Sequence, residues 1–242
     1  MRIGIFSDVH SNLEALVAVL SFFREKEVQW LLCCGDVVGY GPNPEKCIEL
    51  VRISRAKVVA GNHDWAVAGR IGIGSFNSIA AQAVRWTQTR LKEQEISYLR
   101  NLPLTEDVGP FHLVHSAPSS PSLWEYITTL EDAEEEMGSF IADICFIGHT
   151  HIPFAVERIS GRQARIITGS SFELRPDAKY LINVGSVGQP RNGDPRACCL
   201  VIDWDERRAE FHRLKYDFTI TQKKITTAGL PAFLAERLAT GT

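Results

Sequence analysis

Two alternating patterns in the first sixty residues constrain the fold more than any other feature of this chain. Arg2–Phe6, Trp30–Cys34 and Lys57–Ala60 are short apolar, β-prone runs. Between the first two, Leu13, Leu16, Val17, Leu20 and Phe23 recur at helical spacing, so a helix is expected over about 12–26. Ser11 with Glu14 supplies a capping-box pattern at its start. A second helix is expected over 45–54. Continuous apolar runs such as Trp30–Cys34 suit strands covered on both faces. Strands joined by helices in βαβαβ order give a right-handed, largely parallel sheet.

Further along, residues 64–101 read as mostly helical, interrupted at Gly72-Ile73-Gly74. Phe111–Val114 and Ile144–Ile147 are strand-like and flank an acidic helix over about 130–140, whose carboxylates read as a solvated face. The pattern then turns β-rich: 154–159, 164–168, 180–184, 198–203 and 209–214 are separated by Gly, Asn, Asp and Pro, which suggests antiparallel hairpins. A helix over about 230–239 closes the chain. No linker or repeat divides it, so residues 1–242 are expected to form one domain.

Five short motifs carry the chemistry. They are Asp8 and His10 in S-D-V-H-S-N, Asp36 in C-G-D-V-V-G-Y, Asn62 and His63 in A-G-N-H-D, His115 in L-V-H-S-A-P, and His149 and His151 in I-G-H-T-H. Each follows a strand-like run and so lies at the carboxyl end of a strand, where open sheets build their sites. In extended chain, residues i and i+2 point to one side, so Asp8/His10 and His149/His151 can each converge. All these donors are oxygen or nitrogen, which suits hard or borderline divalent ions. By contrast His112 and His212 sit singly in strand patterns and read as ordinary packing or surface residues.

The six cysteines form no C-x-x-C pair, and five lie in apolar runs; they read as buried reduced thiols of a cytoplasmic protein. The net charge of −3 and the lack of a basic, aromatic-interleaved stripe argue against an extended nucleic-acid surface. No apolar segment is long enough to span a membrane, and the N-terminus lacks signal-peptide organisation. The sequence leaves oligomeric state open.

In kind, order and spacing the motifs resemble those of the calcineurin-like metallophosphoesterase superfamily. The likeness is to its small bacterial phosphoesterases with an N-x-G-S-V-G-Q-P-R segment, here Asn183–Arg191. That resemblance implies a four-layer α/β/β/α sandwich of two mixed sheets flanked by helices. It also implies two divalent ions, drawn from Mn, Fe, Zn, Ni, Co and Mg with Mn favoured. Asp8, His10 and His151 would hold one ion, and Asn62, His115 and His149 the other. Asp36 would bridge them, a role suited to a short anionic side chain with two acceptor oxygens. The implied reaction is hydrolysis of a small phosphomonoester or phosphodiester, possibly a nucleotide, by in-line attack of a metal-bridging hydroxide. His63 would protonate the leaving oxygen. Asp64 would either orient His63 or cap a helix.

Two departures narrow the branch. No arginine follows Asp36 closely, unlike in the protein Ser/Thr phosphatases, and Gly39 stands where purple acid phosphatases carry a ligand tyrosine. Tyr40 is then a candidate to line the pocket and Arg191 to clamp a phosphate oxygen. Asn12 either reaches substrate or caps the first helix. A nuclease and a catalytically silent scaffold of this fold are the alternatives; the scaffold would lack several of these side chains, and none is missing.

Overall fold

The structure, a computed structural model, describes all residues 1–242. Along the chain, β1 (Arg2–Phe6), α1 (Leu13–Glu25), β2 (Trp30–Cys33), α2 (Pro44–Ile53) and β3 (Lys57–Val58) form the βαβαβ opening. Next come α3 (Asn62–Val67), α4 (Ser78–Gln88), α5 (Glu93–Arg100), β4 (Thr105–Val108) and β5 (Phe111–Val114). Then α6 (Leu130–Glu136) precedes β6 (Ile144–Ile147), β7 (Phe154–Ile159), β8 (Arg165–Ile166), β9 (Ser171–Glu173), β10 (Ala178–Asn183), β11 (Ala197–Asp203) and β12 (Arg208–Leu214). The chain ends with α7 (Phe218–Thr227), α8 (Ala232–Glu236) and a 3-10 turn over Arg237–Ala239.

These elements form two mixed six-stranded sheets, ordered β3-β2-β1-β11-β12-β9 and β4-β5-β6-β10-β7-β8. The sheets stack face to face because strand residues alternate between two apolar environments. Ile3 and Ile5 of β1, Leu32 of β2 and Leu200 and Ile202 of β11 meet Phe111, Leu113, Ile144, Phe146, Tyr180 and Ile182 in the core between the sheets. The intervening residues Phe6, Cys33, Cys199 and Val201 turn outward, against Leu16, Val19 and Phe23 of α1 and Cys47, Ile48 and Val51 of α2. On the other sheet Cys145, Ile147 and Leu181 face Ala133 of α6. Helices thus flank both sheets, in the α/β/β/α order expected.

β1, β2 and β3 run parallel, as do β5, β6 and β10. Their carboxyl ends carry the five motifs.

Several elements differ from expectation. Residues 64–101 divide into α3, α4 and α5, split by the Gly-rich stretch and by Arg90–Lys92. β4 and β9 were not expected, because both are short edge-proximal strands with little apolar signal. α7 was also missed: its buried face holds only Thr221 and Ile225. The first helix is capped by Asn12, whose side chain accepts from Ala15 N, rather than by the Ser11/Glu14 box. All six cysteines are buried and unpaired. His112 stacks on Phe140 and His212 lies against Phe22, both in packing roles. No helix is long and apolar enough to cross a membrane.

Phe146 is fully buried between the sheets. Phe146→Ala should lower the unfolding free energy by about 3–5 kcal/mol, read from denaturant melts. A loss below about 1 kcal/mol would contradict the two-sheet core.

Candidate metal centre

The loops after β1, β2 and β10 are laced together by their backbones. Asp8 N donates to Gly35 O, His10 N to Asp36 O and Ser11 N to Val37 O, each at 3.0 Å. Val187 N donates to Ser7 O and Gly188 N to Asp8 O, each at 2.9 Å. The turns needed are unusual. Eleven non-glycine residues have positive φ, and eight of them lie at this site: Asp8, His10, Ser11, Asp36, Tyr40, Trp124, His149 and His151. Left-handed backbone is unfavourable for residues with a Cβ and persists where the surrounding structure enforces it, often at functional sites.

Within this frame both aspartates are divided between two tasks. Asp8 Oδ2 accepts His149 N–H at 3.1 Å, and Asp36 Oδ1 accepts His63 N–H at 2.8 Å. The second oxygens face histidines. Asp8 Oδ1 lies 3.2 Å from His151 Nε2 and 3.6 Å from His10 Nε2. Asp36 Oδ2 lies 3.6 Å from His10 Nε2 and 3.4 Å from His115 Nε2. Asp36 thus faces a histidine of each expected ligand set, and Asp8 Oδ1 also comes within 3.9 Å of His115 Nε2. The Oδ2 of Asp36 is the oxygen that faces both sets, since its Oδ1 is taken by His63 N–H.

The histidines are oriented from behind. His10 Nδ1 donates to Val38 O at 3.1 Å, His115 Nδ1 to Cys34 O at 2.6 Å and His151 Nδ1 to Gln189 O at 2.5 Å. With Nδ1 protonated, each presents its Nε2 lone pair to the cluster. His149 is reversed: Nε2 donates to Trp124 O at 2.8 Å, which leaves Nδ1 facing inward.

Three sets of donor atoms converge within 4.8 Å: Asp8 with His10 and His151, Asp36 with His115 and His149, and Asp36 with His10 and His63. Asp8 Oδ1, Asn62 Oδ1 and His115 Nε2 are buried without a hydrogen-bond partner. His10 and His151 bring their Nε2 atoms to 3.0 Å. Orphaned buried acceptors and facing lone pairs need a shared cation, so this donor set fits divalent metal.

The electrostatics agree. Burial pushes Asp8 and Asp36 up, but the neighbouring histidines outweigh it and hold both well below the usual carboxylate range. Burial lowers His115, yet Asp36 and Asp8 raise it to about 9. Burial lowers His149 to about 4 with help from His115, and His151 to about 3 with help from Arg191. The two carboxylates thus draw positive charge onto His115, while His149 and His151 stay neutral.

A cavity of about 230 Å³ opens onto this cluster. Asp36, Asn62, His63, His149 and His151 line it, and so do Tyr40 and Arg191. His63 stands at its wall between Tyr40 and Phe76, with ring centroids 4.4 and 5.0 Å away. Gly39 is needed there: at φ +102°, a Cβ on it would lie 2.5 Å from His63 Nδ1. Asp64 does not orient the imidazole. Its Oδ1 accepts Val38 N–H and its Oδ2 accepts Gly61 N–H, both at 3.1 Å, so it fastens the turns around Asp36. His63 Nδ1 has no partner. Burial and the Asp36 charge raise Asp64 to about 7 against those two donors.

Asn12 is also outside the cavity. It is buried, with Nδ2 donating to Gly188 O at 2.9 Å and Tyr216 Oη at 3.0 Å while Oδ1 caps α1. Substrate contact by Asn12 therefore gives way to its capping role.

Sequence reading missed the aromatic wall. Phe76, Trp124 and Tyr126 line the cavity, and Tyr126 stacks on His149 at 4.1 Å and 7°. They belong to loops without a motif, and only their position beside the five motifs makes them functional candidates. Asn183 opens the N-x-G-S-V-G-Q-P-R segment. Its Nδ2 donates to Gly148 O at 2.6 Å and to Thr150 Oγ1 at 2.9 Å, which pins the loop bearing His149 and His151.

Comparison with known proteins places these features among others. Residues 1–207 match the calcineurin-like phosphoesterase superfamily domain. The chain is 37% identical to the uncharacterized protein MJ0912 of Methanocaldococcus jannaschii, over 99% of this chain and 98% of that one. It is 27% identical to phosphodiesterase YfcE of Escherichia coli, over 81% and 84% of the two chains. Among solved structures, a metallophosphoesterase from Sphaerobacter thermophilus superimposes with a TM-score of 0.87 at 40% identity, over 100% of this chain and 99% of that one.

Gly61 touches the Asp36 carboxylate so closely that a Cβ would lie 2.0 Å from Oδ1. Gly61→Ala should displace that carboxylate and weaken divalent-ion affinity about 10–100-fold, measured by equilibrium dialysis. Unchanged affinity would contradict the position assigned to Asp36.

Proposed function

The chain belongs to the calcineurin-like phosphoesterase superfamily, and from that membership we propose a specific form of its chemistry: hydrolysis of small phosphomonoesters or phosphodiesters at two divalent ions. As a member it is a metal-dependent phosphoric ester hydrolase. One observation supports the two-ion form. Asp8, His10 and His151 converge as one set, Asp36, His115 and His149 as another, and Asp36 Oδ2 faces a histidine of each. Asn62, whose Oδ1 is buried and unpartnered, completes the second set. The similarity to a phosphodiesterase favours diesters among the substrates. Mn is the favoured metal.

Bound there, the ions would supply Lewis acidity, drawing charge from phosphoryl oxygens and acidifying a water near neutral pH. The protein's own groups do the rest. Asp8 and Asp36 offset the charge brought in, and the carbonyls of Val38, Cys34, Gln189 and Trp124 keep the histidine ligands in their required tautomers. Phe76, Trp124 and Tyr126 give the cavity apolar sides that fit an aryl or base group.

His63 handles the proton. Burial, with His10, His151 and Arg191 adding to it, holds the imidazole neutral despite Asp36. An anionic ester beside it would raise its proton affinity, and the imidazolium then donates to the leaving oxygen. The reading takes residues 1–242 as one unit. It is supported by the C-terminal helices, which join Tyr40, Ala80 and Ala83 in an apolar cluster beside the site.

Chelation should abolish turnover, and Mn²⁺ should restore it; turnover that persists after exhaustive chelation would contradict the reading. His63→Ala should keep its metal and lose about 10²–10⁴-fold in kcat on alkyl esters. The loss on p-nitrophenyl esters, whose leaving group needs no proton, should be much smaller. Equal losses on both would remove the general-acid role.

A further inference from the structure

Two guanidiniums meet beside the cavity on one neutral amide oxygen. Arg191 lines the cavity, with its guanidinium 5.8 Å from the centre of the Tyr40 ring. Its Nη2 donates to Gln189 Oε1 at 3.0 Å and approaches Tyr40 Oη at 3.5 Å. Arg237, from the turn after α8, donates its Nη1 to the same Gln189 Oε1 at 2.9 Å. Its Nε donates to the Thr242 backbone oxygen. The side-chain bonds of Arg191 end on neutral oxygens, and its Nε is buried with no partner.

Two like charges sharing one neutral amide oxygen repel each other in a half-buried setting. Arg237 reflects this: burial and the Arg191 charge lower it to about 10. An anion at Arg191 would relieve the repulsion and satisfy the free Nε. The guanidinium fork matches two oxygens of one phosphoryl group. Tyr40 touches both His63 and Arg191, so the imidazole and the guanidinium flank one ring at the cavity wall. A phosphoryl group held over the aspartates and facing His63 leaves Arg191 to the group attached next to it.

We propose that Arg191, presented by Gln189 and Arg237, holds a second phosphoryl group adjoining the scissile one, so that the preferred substrates carry two linked phosphoryl groups. This rests on the hydrolase reading above. Arg191 is the contact residue; Gln189 and Arg237 are positioning residues. Arg237 lies beyond residues 1–207, the part that matches the family domain, so the C-terminal segment would supply this selectivity.

The test compares methylphosphonate with methylenebisphosphonate, titrated calorimetrically into the metal-loaded protein with Mg²⁺ in excess of either ligand. The bisphosphonate should bind at least about tenfold more tightly. Arg191→Met, which keeps the stem on Tyr40, should erase most of that ratio. Arg237→Met should reduce it and Arg237→Lys restore part of it, which a purely structural role would not do. Equal binding by the wild type, or a ratio unchanged in Arg191→Met, would overturn the proposal. Hydrolysis of p-nitrophenyl phosphate is followed in parallel. Turnover without a bisphosphonate preference sinks the second subsite alone, whereas an Arg191-dependent preference without turnover sinks the hydrolase reading alone.

Discussion

Two carboxylates, Asp8 and Asp36, are buried side by side, and the architecture of the site follows from what their burial requires. Anions removed from water need fixed donors and nearby positive charge. The donors are the backbone N–H groups of His149 and His63, each taking one oxygen of one aspartate. The positive charge is invited by the remaining oxygens and by the ring nitrogens of His10, His115 and His151 around them. Without a cation, the same atoms would be a set of unsatisfied buried acceptors.

The rest of the fold serves that arrangement. Parallel strands in each sheet deliver their carboxyl ends to one edge, and the stacked sheets bring the two edges together. The last step is made by tight, left-handed turns at Asp8, His10, Asp36, His149 and His151. Such turns leave no space behind them: a Cβ on Gly148 would lie 2.1 Å from Ser7 Oγ and 2.5 Å from Asp8 Oδ2. Second-layer groups then fix the side chains. Asp64 ties Val38 and Gly61 together, and Asn183 holds the Gly148–Thr150 loop.

Most of this was legible in sequence because strand-end motifs encode it locally. The βαβαβ opening, the hairpin-rich end and the eight motif side chains could be read from periodicity and spacing, while the two-sheet sandwich was implied by the family resemblance. What escaped depends on contacts distant in sequence. Phe76, Trp124 and Tyr126 come from loops whose sequence gives no periodic signal, and only the folded chain sets them on His63 and His149. Asp64 could have oriented His63 or capped a helix; its Oδ2 accepts Gly61 N–H at the start of α3, and its Oδ1 accepts Val38 N–H from a separate loop. α7 is amphipathic too weakly to stand out, yet with α8 it builds the wall behind Tyr40 and brings Arg237 to Gln189. The aspartate–histidine cluster is written in the motifs, while the aromatic walls of the cavity come from the segments between them.

The central claim is that the buried aspartate–histidine cluster is a two-ion cage with Asp36 shared between the ions. Counting Mn²⁺ bound per chain, by equilibrium dialysis of the metal-free protein with elemental analysis, tests it most directly. Two ions per wild-type chain, falling when Asp36 is replaced by Asn, is the expected result. A single ion per chain, or a count that Asp36→Asn leaves unchanged, would contradict it.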